Sequence, residues 1–346
     1  MTIKTQRLLA RAKKIAKKGE HEEARKLYTT ILEASPNNQE AKNELLVLQQ
    51  GKDQLSPPQA EIQSVFALYN NGQIQEALDT VETLTKGYPN EPLLYNISGA
   101  CYKAIGQLEE AFKNFEKAVA LKPDYTEARY NLGITLRELG QVDAAIKCYE
   151  DTLAIKHAYP NVHNNLGNIF LELSQLDAAF EHFEWAVAYQ PDFVEAHNNL
   201  GNTFMAIGQL DDAVKSYEKA LTLKPDYVEA HNNLGIAFHK LGQVDAAVKS
   251  YEEALTIKPD YYMAHNNLGV TFKELDQLDA AIGCYEKALA IKPDYAEAHN
   301  NLGNAFKELG QLDDAVKSYE KALTLKSDYA EAHNNLDIVL KQLSSK

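Results

Sequence analysis

His197-Asn198-Asn199-Leu200-Gly201 is one of five identical strings in this chain, and their spacing decides the fold. They start at His163, His197, His231, His265 and His299, 34 residues apart, and an altered copy, His333-Asn334-Asn335-Leu336-Asp337, continues the series. Self-similarity at this period marks units that stack on one another rather than one globular core. The copies align on Gly99, Gly133, Gly167, Gly201, Gly235, Gly269 and Gly303, with position 1 taken seven residues before each glycine. Position 20 is then Ala throughout: Ala111, Ala145, Ala179, Ala213, Ala247, Ala281 and Ala315. Position 24 is aromatic throughout: Phe115, Tyr149, Phe183, Tyr217, Tyr251, Tyr285 and Tyr319. Position 27 is Ala except for Thr152, and position 32 is Pro except for His157 and Ser327.

Each unit holds two segments with helical spacing of apolar residues, separated by a turn such as Gly140-Gln141 or Gly208-Gln209. Small residues at positions 8 and 20 let the two helices approach, the aromatic at 24 fills the space beside them, and Pro at 32 stops the second helix. One such pair cannot bury its apolar face alone, so neighbours must stack. Gly and Pro at fixed points in every period argue against a long coiled coil. The pattern of Leu-Gly, Ala, aromatic, Ala and Pro at this period resembles the tetratricopeptide repeat family, over roughly residues 58–346 and more loosely at the N-terminus. The resemblance implies an all-α fold, an α-solenoid of antiparallel helix pairs wound into a right-handed superhelix.

Residues 1–50 read as a divergent three-helix piece in which Gly19, Ala24, Tyr28 and Pro36 hold the register. Residues 51–57 have linker composition, 58–329 hold eight tandem repeats, and 330–346 supply a capping helix with a polar tail. In the first tandem repeat Val65 replaces the glycine; in the cap Asp337 does. No apolar run reaches the roughly 18 residues of a membrane helix, and the N-terminus lacks a secretory apolar core. Membrane insertion is therefore not expected, and a cytoplasmic location is. Cys101, Cys148 and Cys284 are far apart and lack metal-ligand spacing, which suits free thiols in a reducing compartment. Net charge is +4 over residues 1–57 and −18 over 58–346. An acidic array disfavours nucleic acid and suits either basic partners or simple solubility.

At about 100° per residue, first-helix positions 2, 5, 6, 9, 12 and 13 share one polar arc. Position 6 is Asn in seven successive units: Asn131, Asn165, Asn199, Asn233, Asn267, Asn301 and Asn335. Asn198 and Asn232 at position 5, and Asn168, Asn202 and Asn304 at position 9, lie on the same arc. In tetratricopeptide arrays the first helix lines the concave surface, so the resemblance places this stripe in the groove. A carboxamide both accepts from and donates to a peptide backbone whatever the peptide sequence. With stacked helices about 8–10 Å apart and extended chain advancing about 3.3 Å per residue, one rung would meet the peptide about every three residues. The stripe resembles the asparagine ladder in the tetratricopeptide superhelix of O-linked N-acetylglucosamine transferase. These twelve Asn are the candidate peptide-binding residues. A second reading stands beside this one: Asn at 5 and 6 serves inter-repeat hydrogen bonding, or is retained by recent duplication.

The position-4 His series reads as packing, because no second metal ligand repeats beside it. A clamp for chaperone C-termini, known in the family, needs basic residues where this chain has Asn and Glu. Trp185, at a position otherwise mostly charged, is either a contact hot spot or folded onto a neighbouring helix. No phosphate loop, nucleophile triad or paired-His motif is present, so neither catalysis nor a cofactor is expected. The expected function is a protein–protein interaction module that holds extended peptide segments. The alternatives are the substrate-recruiting region of a larger transferase or oxygenase, and a self-associating scaffold.

Overall fold

The computed structural model describes residues 3–18, 20–53 and 57–345. Among them the regular elements are α-helices, in two compact units spanning residues 1–157 and 158–346. The first unit contains α1 (Ile3–Lys17), α2 (His21–Ala34), α3 (Gln39–Asp53), α4 (Gln59–Asn70), α5 (Ile74–Gly87), α6 (Pro92–Ala104), α7 (Leu108–Leu121), α8 (Thr126–Glu138) and α9 (Val142–Ile155). The second contains α10 (Pro160–Glu172), α11 (Leu176–Tyr189), α12 (Val194–Ala206), α13 (Leu210–Leu223), α14 (Val228–Lys240), α15 (Val244–Ile257), α16 (Tyr262–Glu274), α17 (Leu278–Ile291), α18 (Ala296–Glu308), α19 (Leu312–Leu325) and α20 (Ala330–Ser344). Helix α3 runs to Asp53, into the stretch read as linker, and residues 54–56 lie outside the described residues.

The sequence terminates each helix locally. Glu at position 2, as in Glu127, Glu195, Glu229 and Glu297, sits in the first turn, where the helix dipole favours an anion. First helices end in a Schellman turn. In α6 the Gln107 N–H donates to the Tyr102 carbonyl at 2.9 Å and the Gly106 N–H to that of Lys103 at 3.0 Å. This turn needs a left-handed residue: Gly106 has φ 77° and Gly242 φ 71°, while Ser174 (58°) and Asp276 (61°) adopt it without glycine.

Packing within a pair rests on the glycine at position 8. A Cβ added to Gly235 would lie 2.5 Å from Tyr251 Cε1, and one added to Gly201 would lie 2.6 Å from Tyr217 Cε1. The ring occupies the place of a side chain, so the two helices approach closely around a buried aromatic. The exceptions obey the same rule. Where Val65 replaces the glycine, position 24 is Val81 rather than an aromatic, and both are fully buried in one cluster. Where Asp337 replaces it, in α20, its side chain is exposed.

Within each unit, second helices pack on the first helix of the next repeat, as α7 does on α8, α13 on α14 and α17 on α18. Successive first helices also touch directly: α6 with α8 in the first unit, and α10, α12, α14, α16, α18 and α20 in sequence in the second. That mutual approach makes the first helices of the second unit, α10 to α20, a continuous layer. The core lies between the two layers and is built from the small and aromatic consensus residues, as in the cluster of Ala281, Tyr285, Leu302 and Ala305.

Candidate functional site

The two asparagines of each string divide between two environments. Except at Asn165, where the preceding position 5 is Tyr130, the position-6 amide nitrogen donates to the position-5 amide oxygen of the preceding repeat. The bonds are Asn131 to Asn96 (3.0 Å), Asn199 to Asn164 (3.1 Å), Asn233 to Asn198 (3.2 Å), Asn267 to Asn232 (3.0 Å), Asn301 to Asn266 (3.1 Å) and Asn335 to Asn300 (3.2 Å). Position 5 sits at the seam between adjacent first helices: Asn198 is 5% exposed, Asn232 4% and Asn300 0%. A buried amide must be hydrogen-bonded, and its neighbour one repeat on supplies the partner. The position-6 residues Asn131, Asn165, Asn199, Asn233, Asn267, Asn301 and Asn335 are half-buried beside the seam. The sequence places both positions on one polar arc. The structure separates them, with Asn198 and Asn232 inside the ladder.

Position 9 is tied to the core. The Tyr217 hydroxyl donates to Asn202 Oδ1 at 2.8 Å, and Asn233 Nδ2 reaches the same oxygen at 3.1 Å. Tyr319 donates to Asn304 Oδ1 at 2.8 Å. Asn202 thereby connects the buried ring of its own repeat to the ladder. Asn168 shares its repeat with Phe183, which has no hydroxyl, and is half-buried. In the repeat starting at 262 the position-9 residue is Val270, and the buried Tyr285 hydroxyl has no hydrogen-bond partner. Asn at position 9 and Tyr at position 24 coincide in the repeats starting at 194 and 296, but Asn168 is paired with Phe183 and Tyr285 with Val270, so the sequence carried only a weak signal for this bond.

The histidines are braces. Nε2 of His197, His231, His265 and His299 lies 2.9–3.0 Å from the carbonyl oxygen of Pro191, Pro225, Pro259 and Pro293, and His333 meets Ser327 at 2.9 Å. A carbonyl only accepts, so the ring donates its Nε2–H and pins the loop that ends the preceding second helix. Burial shifts the His299 pKa downward, keeping the ring neutral. His163 departs from the series. It is buried, with Nδ1 3.1 Å from His182 Nδ1, among the rings of Trp185 and Tyr189. Burial, and then the neighbouring His163, lowers the His182 pKa to about 4.

Positions 12 and 13 meet across repeats at the edge of this layer: Lys103–Glu138 (3.0 Å) and Lys273–Glu308 (3.5 Å) are ion pairs, and His239 Nε2 is hydrogen-bonded to Glu274 (2.8 Å). Exposed pairs like these add little stability, but they order the charges along the edge. In the second unit the partly buried Met205, Ile236 and Val270 place apolar surface on the same face as the amides. The face thus combines fixed amide dipoles, an apolar strip and a charged margin. The thiols take no part in it. Cys101, Cys148 and Cys284 are buried and free, and burial pushes the first two up to about 11. Among the described residues, no cluster of His, Cys, Asp and Glu could hold a metal ion.

Comparison with known proteins agrees with this architecture. The family model described as the Cilia and flagella-associated protein 70 C-terminal domain matches residues 52–338. The peroxisomal targeting signal receptor of Kluyveromyces lactis is 34% identical over 77 residues, 22% of this chain and 14% of the receptor. That of Saccharomyces cerevisiae is 33% identical over 82 residues, 23% of this chain and 13% of the receptor. The aligned segment is thus a small part of either receptor. A tetratricopeptide repeat protein from Parabacteroides merdae superposes with TM-score 0.58 at 15% identity, covering 72% of this chain and 98% of its own. The APC/C hetero-tetramer Cut9-Hcn1 gives 0.57 at 20%, covering 86% and 55%. These two likenesses speak for the fold alone. No catalytic family is indicated, and no described helix is long and apolar enough to cross a membrane. Matched over most of its length and repeating the same packing rule unit after unit, the chain belongs to the tetratricopeptide-repeat family of the cilia and flagella-associated protein 70 C-terminal domain.

Proposed function

We propose that this chain is a protein–protein interaction module whose first-helix face in residues 158–346 holds an extended peptide segment. The observation that carries the reading is the pre-orientation of the position-6 amides. Asn199, Asn267 and Asn301 each donate a hydrogen bond inside the ladder, which fixes the side chain at no further entropic cost on binding. A carboxamide has two N–H donors and two oxygen lone pairs, so Asn199, Asn267 and Asn301 keep capacity for a peptide backbone. Asn233 reaches both Asn198 and Asn202 through Nδ2, which leaves its oxygen as the group to offer. Asn198 and Asn232 act as supports rather than contacts. Met205, Ile236 and Val270 would receive an apolar side chain, which gives the peptide a preference that amides alone cannot supply. The peroxisomal receptors, by their name, recognise a targeting signal, and their likeness to part of this chain supports a peptide as the ligand class.

The test is an array of capped 12-residue peptides probed with the intact chain. Combined Asn199→Ala, Asn233→Ala and Asn267→Ala substitutions should weaken the strongest binders by about tenfold or more. Because those changes also touch the ladder, Met205→Glu with Ile236→Glu provides a second arm that alters the face and leaves every ladder bond in place. Unchanged binding in both arms refutes the proposal. A fall in melting temperature without any loss of binding in the Asn variants would assign the ladder to stacking alone.

A further inference from the structure

The exposed side of α11 departs from its equivalents. Position 22 is Lys113, Lys147, Lys215, Lys249 and Lys317 in five repeats, but Glu181 in α11. Position 26 is Lys117, Lys219, Lys287 and Lys321 in four, but Trp185 here. In α7, α13 and α19 the position-22 lysine pairs with an acid three residues earlier, as Lys215 does with Asp212 at 2.8 Å. In α11 that earlier place is Ala178. The helix therefore carries Asp177, Glu181 and Glu184 and no Lys or Arg, whereas α7, α9, α13, α15, α17 and α19 each carry at least one Lys.

These changes converge on one place. Trp185 is 39% exposed, and its ring stacks on Tyr189 with centroids 5.4 Å apart and planes at 16°. The stack gives the indole a rigid backing. Beside it lies a cleft of about 460 Å³ lined by Glu181, Glu184, Trp185, Val187 and Ala188. A braced aromatic face between two exposed carboxylates suits a planar cation. Guanidinium stacks on indole and pairs with carboxylate through parallel N–H donors, which ammonium does not.

We infer that the Trp185–Glu181–Glu184 cleft is a second docking site, one that takes an arginine side chain from a basic segment of a partner protein. It lies on a second helix, away from the asparagine layer, so it works independently of the peptide-holding face. Tryptophan and arginine are also the side chains that most often dominate interface energies.

Trp185 is the only tryptophan, so its fluorescence reports this cleft directly. The intact chain is titrated with a capped Gly/Arg peptide and with its Gly/Gln counterpart. The arginine peptide should give a saturable change in emission that weakens with salt, and the glutamine peptide none. Glu181→Lys restores the residue found at this place in five other repeats and should reduce affinity about tenfold without unfolding the chain. Trp185→Lys, followed by calorimetry, should abolish binding. Absence of a saturable signal, equal response to the glutamine peptide, or undiminished binding by Glu181→Lys would overturn the assignment. Asn199→Ala should leave this signal unchanged, which separates the cleft from the first-helix face.

Discussion

Gly235→Ala is predicted to destabilise the chain even though alanine is the better helix former. Replacing a mid-helix glycine by alanine ordinarily gains about 1 kcal/mol. Here the new Cβ would lie 2.5, 2.7 and 2.9 Å from three atoms of the Tyr251 ring, where ordinary contact begins near 3.4 Å. The ring is 2% exposed and cannot swing aside without displacing Ala247 and Leu268, its neighbours in the cluster. Overpacking of this kind costs about 1–3 kcal/mol, and a wedged aromatic puts it at the upper end. The net loss is then about 1–2 kcal/mol, the overpacking cost less the helix-propensity gain. Gly283→Ala makes the same chemical change in helix α17 with no heavy atom within 4 Å, so only the gain of about 1 kcal/mol remains. One substitution type thus has opposite signs at two helical glycines. Urea unfolding followed by circular dichroism gives both midpoints. Because repeat arrays need not unfold in one step, amide exchange in α14 and α15 localises the loss. The double variant Gly235→Ala with Tyr251→Val sets a small aliphatic side chain against a Cβ-bearing residue, as the Val65–Val81 pairing does, and should recover part of the stability. A Gly235→Ala chain as stable as the parent would refute the packing argument.

Ser174→Gly and Asp276→Gly, at φ 58° and 61°, should each stabilise by about 1 kcal/mol, and Gly242→Ala should do the reverse; melting temperatures check both. Tyr285→Phe removes an unpartnered buried hydroxyl and should be neutral or stabilising. Tyr217→Phe deprives Asn202 of its 2.8 Å donor and should cost about 1 kcal/mol, so equal effects in denaturant would contradict the hydrogen-bond assignment. His182 has a folded pKa near 4, below the usual 6.5, so the unfolded chain takes up its proton first as pH falls. Stability should therefore drop between pH 6.5 and 4 and level off below; partial exposure limits the loss to about 1–2 kcal/mol. His182→Phe should flatten that slope, and an NMR titration placing the His182 pKa above 6 would rule the argument out.

The repeat length, the two helices per repeat and the core all follow from residues whose effects are local. Gly208 turns the chain, Pro225 ends a helix, and Gly201 meets Tyr217 sixteen residues on, within the same pair. The histidines were legible as packing residues, but their hydrogen bond to the preceding proline carbonyl was not, because it depends on the path of the loop. The exchange of lysines for Glu181 and Trp185 is visible in the sequence. The cleft it forms and the Trp185–Tyr189 stack are not, since rotamers and spacing decide them.

Sequence alone determined that this protein is a stack of 34-residue helix pairs with an asparagine stripe along the first helices. Only tertiary structure decided which asparagine does what. Asn232 and Asn233 are identical in type and adjacent in sequence, and both lie on the polar arc of an isolated helix. The turn of about 100° between them points Asn232 at the seam, where it is buried and accepts from Asn267, and leaves Asn233 half-exposed beside it. That difference arises from a neighbouring helix a full repeat away, and no property of the string itself records where that helix lies.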